Sequence, residues 1–123
     1  KTDRLTSAMI DFPGGKTATL TCSTQLMPYQ HVHVFGTNGQ IEIEIPVNVP
    51  EDTSSTVWVR SKTSSERIVI EPADQYMLQV EMFAKAILEK RPVPIDLSDA
   101  VNNMKVIDAL FKSAEQNGWV TIE

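Results

Sequence analysis

The spacing of apolar residues changes once along this chain, and that change limits the folds it can adopt. Up to about residue 71, apolar and polar residues alternate or form short β-branched runs, which is typical of strands. From residue 74 onward, apolar residues recur at the spacing of an amphipathic helix. Strands followed by helices predict an α+β fold, with an antiparallel sheet and helices packed against one of its faces.

Six strands, two helices and a last strand are predicted. One helix covers residues 74–90 and ends at residues 91–94, because proline cannot continue a helix. The other begins at Asp96 or Ser98, ends at Gly118, and is followed by a last strand over 119–123. The expected architecture is a single domain over residues 1–123, with an open, mainly antiparallel sheet and both helices on one face. The strands are predicted at residues 4–12, 16–24, 30–35, 40–45, 56–61 and 67–71.

The Asn38-Gly39 step is the strongest turn signal in the chain. Asparagine and glycine tolerate the positive φ angles that a type I′ hairpin turn requires at both central residues. A two-residue turn at this step pairs His33 with Glu44 across the hairpin. Cross-strand pairs of this kind contribute about 0.2–1 kcal/mol.

The histidines and glutamates of this hairpin allow three interpretations. His31, His33, Glu42 and Glu44 suit a metal site, a catalytic cluster or a structural contact. A metal requires three or four ligands held by surrounding hydrogen bonds, and a catalytic histidine requires an oriented partner. The structural contact is the favoured interpretation, and no metal-binding residue is predicted. A metal-dependent enzyme built on these four residues is the third hypothesis for the function.

The segment over residues 23–30 interrupts two predicted strands with hydrogen-bonding side chains. Gln25, Tyr29 and Gln30 surround Pro28 there. A simple corner between strands explains this pattern, and so does a loop that faces a ligand. These three residues are the candidates for substrate binding.

Composition excludes several classes of function. The net charge is −5, the pI is about 5.0, and no basic run is present, so neither nucleic acid nor an anionic membrane is an expected partner. No stretch approaches the ~18 apolar residues of a membrane span. Cys22 is the only cysteine, which rules out an intrachain disulfide, and its apolar surroundings predict burial. A cytoplasmic location is expected.

A sheet with helices on one face leaves its other face for water or a partner. We expect that second face to be an oligomer interface, because its side chains are polar but carry little charge. The predicted interface residues are Thr17, Thr19, Thr21, Ser23, His31, His33, Glu42 and Glu44.

Three segments together carry a family resemblance. They are "LTSAMIDFPGGKTATLTCST", "VHVFGTNGQIEIEIP" and the stretch from "QYMLQVEMF" to "SAEQNGWVTI". In this order the chain resembles the C-terminal domain of the glucose-fructose oxidoreductase/inositol dehydrogenase/rhizopine catabolism (Gfo/Idh/MocA) family. The resemblance implies an NAD- or NADP-dependent oxidoreductase acting on a sugar, inositol or similar polyol. It also implies a partner Rossmann domain and assembly into a dimer or tetramer.

The chain departs from the family where catalysis is concerned. The glycine fingerprint and catalytic lysine belong to the Rossmann domain, and no Asp here has a His four residues later. No catalytic or cofactor-binding residue is therefore predicted, and the chain alone is expected to bind no NAD or NADP. We expect a fragment that begins partway through its domain and is inactive alone. The alternative is a non-catalytic binding or assembly module that uses the open sheet face.

Overall fold

The computed structural model describes residues 3–122, which divide into two compact units. The first unit comprises the described residues up to Met27 and from Ile95, and the second is Pro28–Pro94. The α+β class is confirmed, with two helices and antiparallel strands. The strands form two sheets, however, and the expectation of one continuous sheet is wrong. That the chain is one domain with both helices on one face stays a prediction.

The predicted strands and helices before residue 119 are all found, with ends shifted by at most two residues. The first sheet pairs the first two strands, and the second sheet joins the other four in sequence order. The elements are β1 (Leu5–Phe12), β2 (Lys16–Ser23), β3 (Val32–Phe35), β4 (Gly39–Ile43), β5 (Ser55–Ser61), β6 (Ser65–Ile70), α1 (Gln75–Leu88) and α2 (Leu97–Gln116).

The strand predicted at the end of the chain is wrong for residues 119–122, which adopt no regular structure. Their β-branched and aromatic side chains favour a strand only where a neighbouring strand is free to pair. Instead they line an open groove of about 800 Å³ beside β1 and α2, with Phe12 and Leu110 among its other walls. Residue 123 lies outside the described part of the chain.

Helix α2 begins at the predicted cap but ends differently. The Asp96 carboxylate accepts hydrogen bonds from the backbone N–H groups of Ser98 at 2.8 Å and Asp99 at 3.3 Å. The side-chain hydrogen bond from Ser98, followed by these backbone bonds, lowers the pKa of Asp96. At the other end Asn117, and not Gly118, takes the left-handed conformation, with φ 51°. The predicted glycine cap is therefore wrong. Asparagine can replace glycine here because it tolerates the left-handed conformation better than most residues.

The hairpin between β3 and β4 has a different register from the predicted one. The Gly36 N–H donates to the Gly39 carbonyl at 2.8 Å, so Thr37 and Asn38 form the turn. Neither residue has positive φ, and the predicted type I′ turn at Asn38-Gly39 is wrong. Gly39 instead lies in β4, where an added Cβ would meet the backbone oxygen of Arg60. Glycine serves close strand approach here rather than turn geometry.

Each strand of the second sheet presents alternate residues to opposite faces. One face is apolar, and its side chains remain partly or largely exposed in this unit. Strand pairing places on it Val32, Val34, Ile41, Ile43, Val57, Val59, Ile68 and Ile70. The opposite face carries aromatic and charged side chains and holds the candidate site.

Helix α1 begins at Asp74, whose carboxylate accepts hydrogen bonds from the N–H groups of Tyr76 at 2.9 Å and Met77 at 3.0 Å. Asp74→Ala removes this acceptor, and we expect the free energy of unfolding to fall by about 1 kcal/mol. Denaturant titration measures the change. Asp74→Asn is the matched control, because asparagine caps a helix about as well. Equal losses in the two variants would contradict a capping role.

Candidate functional site

Four aromatic side chains stack along one face of the second unit. Tyr29, His31, His33 and Phe35 alternate along the chain, so they point to the same side. Successive ring centroids lie 5.7, 4.4 and 5.7 Å apart, and each pair of rings is within 20° of parallel. We call this series the aromatic ladder.

Glu42 lies at the centre of the charged groups beside the aromatic ladder. It stands opposite His33 in the β3–β4 register, yet its carboxylate bonds elsewhere. Its Oε1 accepts a hydrogen bond from His31 Nε2 at 3.0 Å, and its Oε2 accepts one from the Arg60 guanidinium. The Arg60 bond is the main cause that lowers the pKa of Glu42, with His31 adding a smaller effect. Glu42 is therefore held as a carboxylate.

The predicted pairing of His33 with Glu44 is wrong, because the hairpin turn lies elsewhere than the sequence signal indicates. His33 faces Glu42, and Glu44 accepts a hydrogen bond from the Trp58 indole N–H at 3.1 Å. The register differs from the predicted one by two residues. Since side chains alternate with period two, each of these residues still lies on its predicted face.

Two arginines on the same face lie close to the Trp58 ring. The guanidinium carbon of Arg60 lies 4.7 Å from the Trp58 ring centroid, and that of Arg67 lies 5.9 Å from it. Both distances fit cation–π contacts. Sequence reasoning predicted a hairpin between the two strands that carry these residues but not its register, and so missed their contacts. Their common signal is alternation: each lies in phase with the polar side of its strand.

The arrangement supports binding better than proton transfer. Both oxygens of the Glu42 carboxylate accept hydrogen bonds, one of them from an arginine. A general base requires a carboxylate free to take a proton at a pKa near the working pH, and the pKa of Glu42 is shifted away from that range. The face combines aromatic surface with both signs of charge, which suits contact with a protein or another ligand.

The substrate-binding candidates are distributed over both units. Gln25 lies in the first unit, where its backbone N–H donates to Ser23 Oγ at 3.1 Å. Tyr29 and Gln30 lie in the second. The Gln30 side-chain oxygen accepts a hydrogen bond from the Val47 N–H at 3.1 Å, whereas the Tyr29 side chain is largely exposed. Because it holds the Val47 backbone, Gln30 has a structural role as well.

The eight predicted interface residues divide between the two sheets, because β2 and β3 do not pair with each other. In the first sheet, alternation places four of them together with Leu5 and Met9, which are 57% and 55% exposed. Apolar side chains this exposed beside weakly polar ones are typical of a protein interface. The four are Thr17, Thr19, Thr21 and Ser23. The other four, His31, His33, Glu42 and Glu44, lie on or beside the strands of the second sheet.

Cys22 is exposed, and the prediction that it is buried is wrong. Its side chain points to the face opposite those of Thr21 and Ser23, as expected. However, it lies near the end of β2 opposite Thr6, where little covers it in this unit. Among residues 3–122, no helix is both long enough and apolar enough to cross a membrane.

Comparison with known protein families identifies the chain. The model of the C-terminal alpha/beta domain of the Gfo/Idh/MocA oxidoreductase family matches residues 3–122. This chain belongs to that family. The expectation drawn from the three sequence segments is confirmed.

Related proteins extend the family assignment. An uncharacterized oxidoreductase of Rhizobium meliloti is 42% identical over 98% of this chain. A D-xylose 1-dehydrogenase (NADP(+)) of Haloferax volcanii is 26% identical over the same share. The chain spans 37% of the length of each of these relatives.

A solved structure shares the fold. It is KijD10, a 3-ketoreductase of Actinomadura kijaniata crystallised with TDP-benzene and NADP. The TM-score is 0.60 at 22% identity, and the match covers 70% of this chain and 28% of that one. At this identity the likeness supports the fold alone.

Proposed function

We propose that this chain is the substrate-side and oligomerisation portion of an NAD(P)-dependent oxidoreductase acting on a sugar, inositol or similar polyol. The observation that carries the proposal is the family match over residues 3–122. The D-xylose dehydrogenase relative, named for NADP(+), supports a sugar substrate and a nicotinamide cofactor. In the full-length protein, the nicotinamide exchanges a hydride with a substrate carbon.

The cofactor and the catalytic lysine belong, in this proposal, to a Rossmann domain outside the 123 residues. A dinucleotide site requires a glycine turn that leads into a helix aimed at the pyrophosphate. The turn at Gly14 and Gly15 leads into strand β2 instead. This turn therefore does not suit a dinucleotide, and the tasks that we propose for the described residues are substrate contact and assembly.

The chain alone should bind neither NAD nor NADP. Calorimetric titration of the 123-residue chain with each cofactor should give only heats of dilution. The full-length protein, titrated under the same conditions, serves as the positive control. Stoichiometric binding at micromolar affinity by the short chain would show that it contains a dinucleotide site after all.

Substrate contact is proposed for Gln25 and Tyr29, and less directly for Gln30. The first two side chains are exposed and carry hydrogen-bonding groups of the kind that recognise sugar hydroxyls. The amide oxygen of Gln30 is already held by Val47. A substitution at Gln30 is therefore expected to disturb the loop as well as the site.

A second candidate function is a non-catalytic assembly module. The exposed Leu5 and Met9 beside the threonines of β2 favour it, since they suit a protein partner without any chemistry. The gene sequence distinguishes the two candidate functions, because a stretch that encodes a Rossmann domain directly upstream supports the oxidoreductase.

The experiment that tests the proposed function is an assay of the full-length protein. A panel of pentoses, hexoses and inositols is incubated with NAD or NADP, and cofactor absorbance is followed. We expect reduction of the cofactor with at least one sugar or polyol. Failure of every panel member with both cofactors, in either direction, would favour the assembly module.

A further inference from the structure

We propose that His31, His33 and Glu42 bind one divalent transition-metal ion on the polar face of the second sheet. The sequence alone favours a purely structural pair between His33 and Glu44. The observed register instead brings both imidazoles and one carboxylate together, with their potential ligand atoms all within 4.8 Å of one another. Two histidines and one carboxylate form a recurrent ligand set for zinc and for iron(II).

The geometry of the three residues is close to that of a bound site. Zinc binds histidine nitrogen and carboxylate oxygen at about 2.0–2.2 Å, so two ligand atoms on one tetrahedral ion lie roughly 3.3 Å apart. His31 Nε2 and Glu42 Oε1 already lie 3.0 Å apart. The centroids of the two imidazole rings lie 4.4 Å apart. His33 is exposed, and one of its ring nitrogens lies within 4.8 Å of the ligand atoms of His31 and Glu42.

The groups around the three ligands hold them in place. Arg60 bonds Glu42 through Oε2 and leaves Oε1 directed toward His31. The side chains of His31 and Glu42 are only 15% and 20% exposed, which limits their freedom before an ion arrives. Hydrogen bonds to the outer side of a ligating carboxylate are a general feature of metal sites. The exposed side of His33 leaves room for water to complete the coordination.

The donor set also selects the kind of ion. Imidazole nitrogen favours zinc, nickel, copper and iron, whereas magnesium and calcium prefer oxygen ligands alone. The positive charge of Arg60 beside the site opposes a divalent ion, so strong donor bonds are required. Zn²⁺ is accordingly the probe of choice, and Mg²⁺ is expected not to bind.

The test is calorimetric titration of chelator-treated, tag-free chain with zinc chloride. We expect one equivalent to bind, with binding lost in His33→Ala and in Glu42→Gln. Glu44→Gln is the matched control: it removes a carboxylate from the same face, outside the ligand set, and should leave binding unchanged. Circular dichroism spectra establish that each variant is folded.

A second readout is the visible spectrum with Co²⁺ in place of zinc. A four-coordinate site of nitrogen and oxygen ligands should give intense absorption bands that disappear in His33→Ala. Absence of stoichiometric zinc binding by the unmutated chain would overturn the proposal. So would zinc binding of equal strength in folded His33→Ala or Glu42→Gln, because the ion would then lie elsewhere.

Discussion

Gly39→Ala should lower the free energy of unfolding by about 1–3 kcal/mol, the cost of forcing additional atoms into a packed position. In an ordinary strand, alanine is more favourable than glycine by roughly 0.5–1 kcal/mol, so the sign of the expected effect is diagnostic. At Gly39 a Cβ would overlap the backbone oxygen of Arg60 on β5. Backbone cannot rotate away as a side chain can, and β4 and β5 would have to separate.

Gly36→Ala is the matched control for this prediction. Gly36 lies in the same hairpin, has no positive φ, and an added Cβ would come no closer than 3.6 Å to the Gly39 carbonyl oxygen. We expect its stability to change by at most ~1 kcal/mol, in the stabilising direction. Denaturant titration of both variants measures the difference. A neutral Gly39→Ala would show that the strands are not as close as the structure has them.

The combined substitutions Thr19→Arg and Thr21→Glu should convert a homodimer of this chain into a monomer. We propose that the face of β1 and β2 bearing Thr17 to Ser23, Leu5 and Met9 packs on the same face of a second copy. A two-fold axis places a patch on itself, and a stable interface buries about 1,600 Å² in total. Two long charged side chains at its centre cannot be desolvated without a large cost.

Light scattering at several protein concentrations measures this effect. The control is Asn102→Arg with Asn103→Glu, which introduces the same two charges at exposed positions of α2. The net charge is unchanged in both double variants, so a general charge effect is excluded. We expect the control to remain dimeric and both variants to keep their helix content. A monomeric unmutated chain at high micromolar concentration would contradict the interface.

The sequence predicted the elements well because their signals are local. Alternation marked β1 and β2, and the Asp96 and Asp74 side chains lie where a helix start requires an acceptor. Two errors came from ambiguous turn and cap residues. Asn38-Gly39 and Asn117-Gly118 each offer two residues that tolerate unusual backbone angles, and local sequence does not decide which of them adopts the turn or cap conformation.

The remaining errors concern contacts between segments far apart in the chain. Position 39 needs glycine because the backbone of Arg60, 21 positions later, lies too close for a side chain. No local sequence pattern indicates this close approach. The contacts of Trp58 with Glu44 and Arg67 likewise depend on the pairing of β4, β5 and β6. The alternation of apolar and polar residues assigned His33 and Glu42 to the correct face of the second sheet. The partner of each side chain depended on register, and a turn displaced by one residue shifted that register by two.

The most direct test of the central claim is the Michaelis constant of the full-length protein for its best sugar or polyol. The claim is that this portion of the protein contacts substrate while another portion binds the cofactor. With Gln25→Ala and Tyr29→Ala combined, we expect the constant for the sugar to rise several-fold and that for the cofactor to stay unchanged. Gln116→Ala, an exposed glutamine at the end of α2, should change neither. An unchanged constant for the sugar, or a rise confined to the cofactor, would contradict the claim.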